Sequence, residues 1–114
     1  MTHEMKLQPE PFDRIKDGTK KIESRLYDEK RQLIQLGDEI VFKRNPEAVE
    51  SVTARVVGLL RYPTFSAMFN DFDPAMFGGE SQEFLEDQIY AFYSKEDEAR
   101  YGVLGIRIDI NSSF

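Results

Sequence analysis

The segment "VLGIRIDI", residues 103–110, carries the clearest strand pattern in the chain and most constrains its fold. Its large apolar side chains fall at every second position, with a small or charged residue between each pair: Leu104, Ile106, Ile108 and Ile110 alternate with Gly105, Arg107 and Asp109. A period of two places all the apolar side chains on one face of a strand. We therefore expect this segment to pair centrally in a sheet.

The rest of the chain predicts further strands interleaved with short helices. The segments "EMKLQ", "LGDEIVFKR" and "VTARVVGLLRY" have strand patterns, and Pro9, Thr64, Ser81 and Ser94 are typical of helix starts. A chain of 114 residues fits one compact core. We therefore expect residues 1–114 to form a single α+β domain, built on a small curved sheet or β-barrel with flanking short helices.

The composition excludes several classes of protein. The formal charge is 15 − 21 = −6, so binding to a polyanion must rely on a local cluster of cations rather than on the total charge. There is no cysteine, and the single histidine, His3, lies near an N-terminus that we expect to be mobile. We therefore predict no metal site and no cofactor. Neither a signal peptide nor a membrane span is evident, which favours a cytoplasmic protein.

The segment "GTKKIESR", residues 18–25, concentrates positive charge in this acidic chain. Gly18 suits the left-handed position that ends a helix. In a strand that follows it, Lys21, Glu23 and Arg25 share one face. Lys20 has the opposite parity and joins them only if the turn re-aims its side chain. These residues are either a solvated strand face or a site in which the carboxylate stays ionised beside cations that bind phosphate or carbonyl oxygens.

Two tyrosines are further candidates for a ligand site. Tyr62 and Tyr93 flank the ends of predicted elements rather than core stripes, and Arg61 and Lys95 beside them add positive charge. Such tyrosines either stack on a base or pack in the core with the hydroxyl exposed.

The same charged segment resembles the ASCH family of the PUA-like superfamily. "GTKKIESR" matches the pattern G-x-K-x-x-E-x-R at Gly18, Lys20, Glu23 and Arg25. The segments "LYDEKRQLIQLGDEIVF", "RYPTFSAMF" and "YSKEDEARYGVLGIRI" extend the similarity to small bacterial ASCH proteins over nearly the whole chain. The resemblance implies a PUA-like β-barrel with flanking helices and a cleft beside the signature strand, proposed to bind RNA or nucleotide-like ligands.

The leading hypothesis is a module that binds RNA or a modified nucleoside or nucleotide. Lys20 and Arg25 would contact phosphate or base oxygens, Glu23 would accept hydrogen bonds from base or sugar donors, and Tyr62 and Tyr93 would complete the ligand-binding set. A protein-interaction domain is a third possibility beside the binding module and an enzyme. The oligomeric state stays open.

The alternative hypothesis is a small hydrolase acting on a modified nucleoside. Some members of the superfamily resemble amidohydrolases that deacetylate acetylated cytidine nucleosides with a signature lysine, a threonine nucleophile and a helix glutamate. This chain has Glu23 at the threonine position, and Ser24 faces the other way in an ideal strand. Catalysis would therefore use Glu23 as a general base and Lys20 or Arg25 as oxyanion stabiliser. The early helix residues Glu83 and Glu86 are left without a catalytic role.

Overall fold

A computed structural model describes residues 1–110 of the chain. The five strands are β1 (Thr2–Leu7), β2 (Ile22–Leu26), β3 (Glu39–Arg44), β4 (Ser51–Tyr62) and β5 (Val103–Asp109). The four α-helices are α1 (Pro9–Lys16), α2 (Phe65–Asn70), α3 (Gln82–Ile89) and α4 (Lys95–Tyr101), with short 3-10 helices at Arg31–Leu33 and Pro74–Phe77. This is the mixed α+β composition that the sequence predicts.

The strands form one sheet in the order β1-β3-β4-β5-β2. β1 pairs in parallel with β3, and every other neighbouring pair is antiparallel. β5 lies between β4 and β2, as its alternating pattern predicts. The sheet curls into a half-barrel that brings its two edge strands together, where Arg25 of β2 donates to the carbonyl of Lys6 of β1 over 3.4 Å.

Each face of the sheet packs on its own apolar core. The concave face and α1 enclose one cluster, which we call the concave core: Met5, Leu7, Phe12, Ile15, Ile34, Ile40, Phe42, Ala54, Val56, Leu104, Ile106 and Ile108. The other face packs against the remaining helices in a second cluster, the helical core: Ile22, Leu26, Phe65, Met68, Phe69, Phe77, Leu85 and Val103. β5 therefore contributes to both cores, with Leu104, Ile106 and Ile108 on one face and Val103 on the other.

The helix starts lie where the capping residues predict them. The side-chain oxygens of Thr64, Ser81 and Ser94 each accept a hydrogen bond from the backbone N–H three residues later. The last helix, α4, runs for seven residues rather than the single turn expected from the sequence. Throughout residues 1–110, every helix is too short or too polar to cross a lipid bilayer.

The N-terminal segment belongs to the sheet, and its strand begins two residues before the segment "EMKLQ" that the sequence predicts. Thr2–Leu7 forms a full edge strand, because β3 supplies its backbone partners. The His3 Nε2 atom lies 2.8 Å from Oδ2 of the buried Asp38 at the start of β3. His3 therefore ties the beginning of β1 to the sheet.

Candidate functional site

The corner between α1 and β2 sets the direction of the Lys20 side chain. α1 ends at Lys16, and Gly18 adopts a left-handed φ of 85° with its N–H bonded to the carbonyl of Ile15. The Lys20 N–H then donates to the carbonyl of Arg14 over 2.9 Å. Because β2 begins only at Ile22, the alternation of the strand does not govern Lys20. The turn after Gly18 is thus the feature that re-aims this lysine.

Lys20, Glu23 and Arg25 meet in one place, and we call them the charged cluster. The two Glu23 oxygens bind different cations: Oε1 lies 2.8 Å from Nζ of Lys20, and Oε2 lies 2.8 Å from Nε of Arg25. The side chains of Lys20, Glu23 and Arg25 are 11%, 5% and 13% exposed. Glu23 is therefore buried beneath two cations that still reach the surface.

The electrostatics of the cluster hold Glu23 in its ionised form. Burial alone would raise the pKa of the Glu23 carboxyl, but attraction and hydrogen bonds from Lys20 and Arg25 outweigh it and lower the pKa to about 2. Burial likewise tends to lower the pKa of Arg25, while Glu23 and the side chain of Tyr93 raise it above its ordinary value. The cluster thus carries two positive charges and one negative charge at neutral pH.

Tyr93 approaches the charged cluster from the helical layer. Its ring stacks on Phe65, with centroids 5.7 Å apart and planes 13° apart. Its hydroxyl oxygen accepts a hydrogen bond from Arg25, one of the contacts that raise the Arg25 pKa. Tyr93 therefore packs in the helical core and contacts Arg25, while its stacking on a base stays a prediction.

Tyr62 is not brought to the cluster, although the sequence analysis grouped it with the ligand-binding residues. It is paired with Val103 in the sheet, and its ring packs on the helical core, on the face opposite to Arg25. Its hydroxyl donates to Oδ2 of Asp71 over 2.7 Å, a bond that raises the Tyr62 pKa. The reason is strand parity, since in β4 it is the preceding residue, Arg61, that shares a face with Arg25.

Lys21 is also separate from the cluster, although the alternation of the strand predicts that it shares a face with Glu23 and Arg25. Its side chain is exposed, and its backbone N–H and carbonyl bond to Met76 and Ile108. Of the two helix glutamates, Glu83 is exposed, while Glu86 accepts a hydrogen bond from Gln82 over 2.8 Å. None of these contacts involves the charged cluster.

A stacked pair that the sequence analysis missed lies beside Arg25. The guanidinium carbon of Arg61 sits 3.3 Å from the centroid of the Tyr27 ring. Tyr27 follows Arg25 by two residues, so the alternation of a strand indicates that the two side chains share a face. The contact between Tyr27 and Arg61 depends on the order of the strands in the sheet. That order cannot be read from the pattern of one sequence.

The surface around Lys20 has a small depression rather than a deep pocket. The depression has a volume of about 20 Å³ and is lined by Glu10, Pro11, Arg14, Lys20, Phe77, Gly78 and Gln88. This volume holds about one water molecule. A ligand of the charged cluster would therefore lie across the surface with its polar groups directed at the cations.

Comparisons with known proteins identify a family and similar folds. The sequence model of the ASCH domain matches residues 5–111. The crystal structure of the hypothetical protein PH0355 is 38% identical, with a TM-score of 0.84 over 96% of this chain and 98% of that chain. The solution structure of protein PF0455 from Pyrococcus furiosus is 35% identical, with a TM-score of 0.75 over 98% and 99% of the two chains.

A more distant structure shares only the fold. ASCH from Zymomonas mobilis is 12% identical, with a TM-score of 0.65 over 93% of this chain and 65% of that chain. A comparison with curated proteins gave no match.

Proposed function

The chain belongs to the ASCH domain family, and from this premise we propose that it binds RNA or a nucleotide-like ligand on the surface at the charged cluster. ASCH domains have a PUA-like fold, which is generally linked to RNA binding. The proposal also requires a local cationic site, because the formal charge of the whole chain is −6. The charged cluster supplies such a site.

The observation that carries the proposal is the pairing of Lys20 and Arg25 on one buried carboxylate. Each cation makes one short contact with Glu23 and has further N–H donors in its side chain. Because both cations are already held in place, a phosphate or carbonyl oxygen binds without the cost of ordering two long side chains. Glu23 is then a positioning residue, because its two oxygens hold the two cations in place.

The electrostatics of Glu23 support binding over hydrolysis. A general base works best with a pKa near the operating pH, whereas the Glu23 pKa is lowered to about 2. Both of its oxygens are also occupied by cations. Ser24, the adjacent hydroxyl, pairs with Gly105 on the helical face of the sheet. A role for Lys20 and Glu23 as catalytic residues therefore has less support than their role in binding.

Two neighbouring lysines provide a matched test. The purified protein is titrated with single-stranded RNA and with a panel of modified nucleosides, at several salt concentrations, while product formation is followed. We expect Lys20→Ala to weaken RNA binding about tenfold and to reduce its salt dependence. Lys21→Ala removes the same charge from an exposed position outside the cluster and is expected to have little effect.

Two results would contradict the proposal. Equal effects of the two lysine substitutions would mean that binding is unspecific attraction to charge. Turnover of a modified nucleoside that Glu23→Gln abolishes at unchanged affinity would make the hydrolase alternative the better account.

A further inference from the structure

Arg25 and Arg61 lie in one row across three strands of the sheet. Leu104 of β5 pairs with Arg25 of β2 on one side and with Arg61 of β4 on the other. Directly paired residues direct their side chains to the same face, and Leu104 is buried in the concave core. Two strand spacings separate the arginine Cα atoms by about 10 Å. Both arginines therefore belong to the surface on which the charged cluster lies.

The two guanidinium groups point in opposite directions along β2. Arg25 donates from Nε to Glu23, which precedes it by two residues. Arg61 lies over the ring of Tyr27, which follows Arg25 by two residues. The two cations therefore form two separate binding points, rather than one clamp around a single group.

Arg61 is ordered but has its hydrogen-bonding capacity free. Its side chain is exposed, and across residues 1–110 no side chain or carbonyl forms a hydrogen bond or ion pair with the guanidinium. Tyr27, packed against the concave core and bonded through its N–H to the carbonyl of Gly102, supplies a fixed platform. Stacking covers one face of the guanidinium and leaves its in-plane N–H donors available for a bidentate contact.

We propose that Arg61, positioned by Tyr27, is a second phosphate-binding residue beside the charged cluster, and that the ligand is a single-stranded oligonucleotide that spans Arg61 and the cluster. This inference rests on the proposed function, because it assigns a second contact to the same ligand. A mononucleotide fills only one of the two points. An oligonucleotide places successive phosphates along the row and engages both.

The test compares an oligonucleotide with a mononucleotide on the same variants. A labelled single strand of about eight nucleotides, in RNA and DNA forms, and a nucleoside monophosphate are titrated over a range of salt concentrations. We expect Arg61→Gln to weaken the oligonucleotide about tenfold and to lower the magnitude of its salt slope by about 0.7, while the monophosphate affinity stays unchanged. Arg55→Gln, the same charge change at an exposed position of β4, is the control.

The platform is tested with two substitutions of Tyr27. Tyr27→Phe keeps the ring and should bind like the parent protein. Tyr27→Leu fills part of the same volume without a stacking face. It should weaken binding of the oligonucleotide but not binding of the monophosphate. A merely structural role of Tyr27 would reduce both affinities together.

The outcomes separate this inference from the proposed function. If the parent protein binds neither the oligonucleotide nor the monophosphate, both are wrong. If it binds only the monophosphate, the spanning ligand is wrong and the proposed function stands. If Lys20→Ala weakens binding of the oligonucleotide while Arg61→Gln behaves like Arg55→Gln, the charged cluster is supported as the binding site. The second contact at Arg61 is then wrong. If Arg61→Gln weakens the monophosphate as much as the oligonucleotide, a ligand spanning two points is excluded.

Discussion

A single buried carboxylate, Glu23, organises the two cations of the candidate site. Taking such ions out of water costs free energy that their attraction repays only with good geometry, so an intact buried pair adds little net stability. Removing one partner is different, because the remaining charges are left buried and uncompensated. Lys20 and Arg25, which are 11% and 13% exposed, would both be left in that condition without Glu23.

Glu23→Gln tests this dependence at the level of one residue. We expect the free energy of unfolding to fall by about 2 to 4 kcal/mol, because glutamine keeps the shape but removes the charge that compensates two cations. Urea unfolding at neutral pH measures the change. Glu39→Gln, at an exposed position of β3, should stay within about 0.5 kcal/mol of the parent protein. Equal stabilities of the two variants would show that the cluster is not held by the Glu23 charge.

The residues of the site could be predicted in part from the sequence. Parity placed Glu23 and Arg25 together, and the family resemblance added Lys20. The alternation of a strand alone would have placed Lys21 in the cluster instead of Lys20, because it assumes that the strand begins before Ile22. The turn after Gly18 instead sets the conformation of these residues. The pair formed by Tyr27 and Arg61 was missed, because contacts across strands require the sheet order.

At the scale of elements, the corner between α1 and β2 requires a residue with a left-handed backbone conformation. This corner lies directly before the site in the sequence. Gly18 has a φ of 85° and no atom within 4 Å of the position of an added Cβ. An alanine there meets no steric contact, yet adopts a left-handed conformation that an L-residue disfavours. The strain would act on the turn that directs Lys20.

Gly18→Ala and Gly37→Ala form a matched pair for testing the corner. Gly37 has a φ of 88°, has no atom near an added Cβ, and precedes β3 rather than β2. We expect both substitutions to lower the free energy of unfolding by about 1 kcal/mol. Only Gly18→Ala should also weaken ligand binding, as measured by titration with single-stranded RNA. Equal losses of affinity would contradict a local role of the corner.

Local sequence signals located most elements but not their arrangement. The caps at Thr64, Ser81 and Ser94 act within one turn of helix, so they are visible in the sequence. The parallel pairing of β1 with β3 joins segments separated by α1 and β2, and no local pattern encodes it. The sequence predicted a strand from its own pattern in "EMKLQ", but neither its start at Thr2 nor its pairing with β3.

At the scale of the whole molecule, ionised carboxylates secure both edges of the sheet. Glu23 lies on the edge strand β2. Asp38, at the start of β3, binds His3 and the N-terminal amino group of the other edge strand, and accepts from the Gln35 N–H. The His3 hydrogen bond is the main cause that lowers the pKa of Asp38 to about 2, with the Gln35 N–H next. Acid should therefore release both edges of the half-barrel.

The last prediction is the pH dependence of stability. The carboxyl pKa values of Glu23 and Asp38 fall from 4.5 and 3.8 to about 2 on folding. A lowered pKa means that the unfolded chain binds protons first, so the stabilisation is complete above about pH 4.5 and is lost as the pH falls to about 2. For Glu23 this loss amounts to about 3 kcal/mol. Urea midpoints of the parent, Glu23→Gln and Asp38→Asn measure it.

We expect the two carboxylates to add no pH dependence between about 7 and 5, and the parent protein to lose stability steeply below that range. Glu23→Gln and Asp38→Asn should be less stable at neutral pH but lose less on acidification, because each has already lost one titrating group. The difference between the parent and each variant should therefore shrink as the pH approaches about 2. The Glu39→Gln control should follow the parent throughout. Parallel curves for all four proteins would mean that neither carboxylate couples folding to protonation.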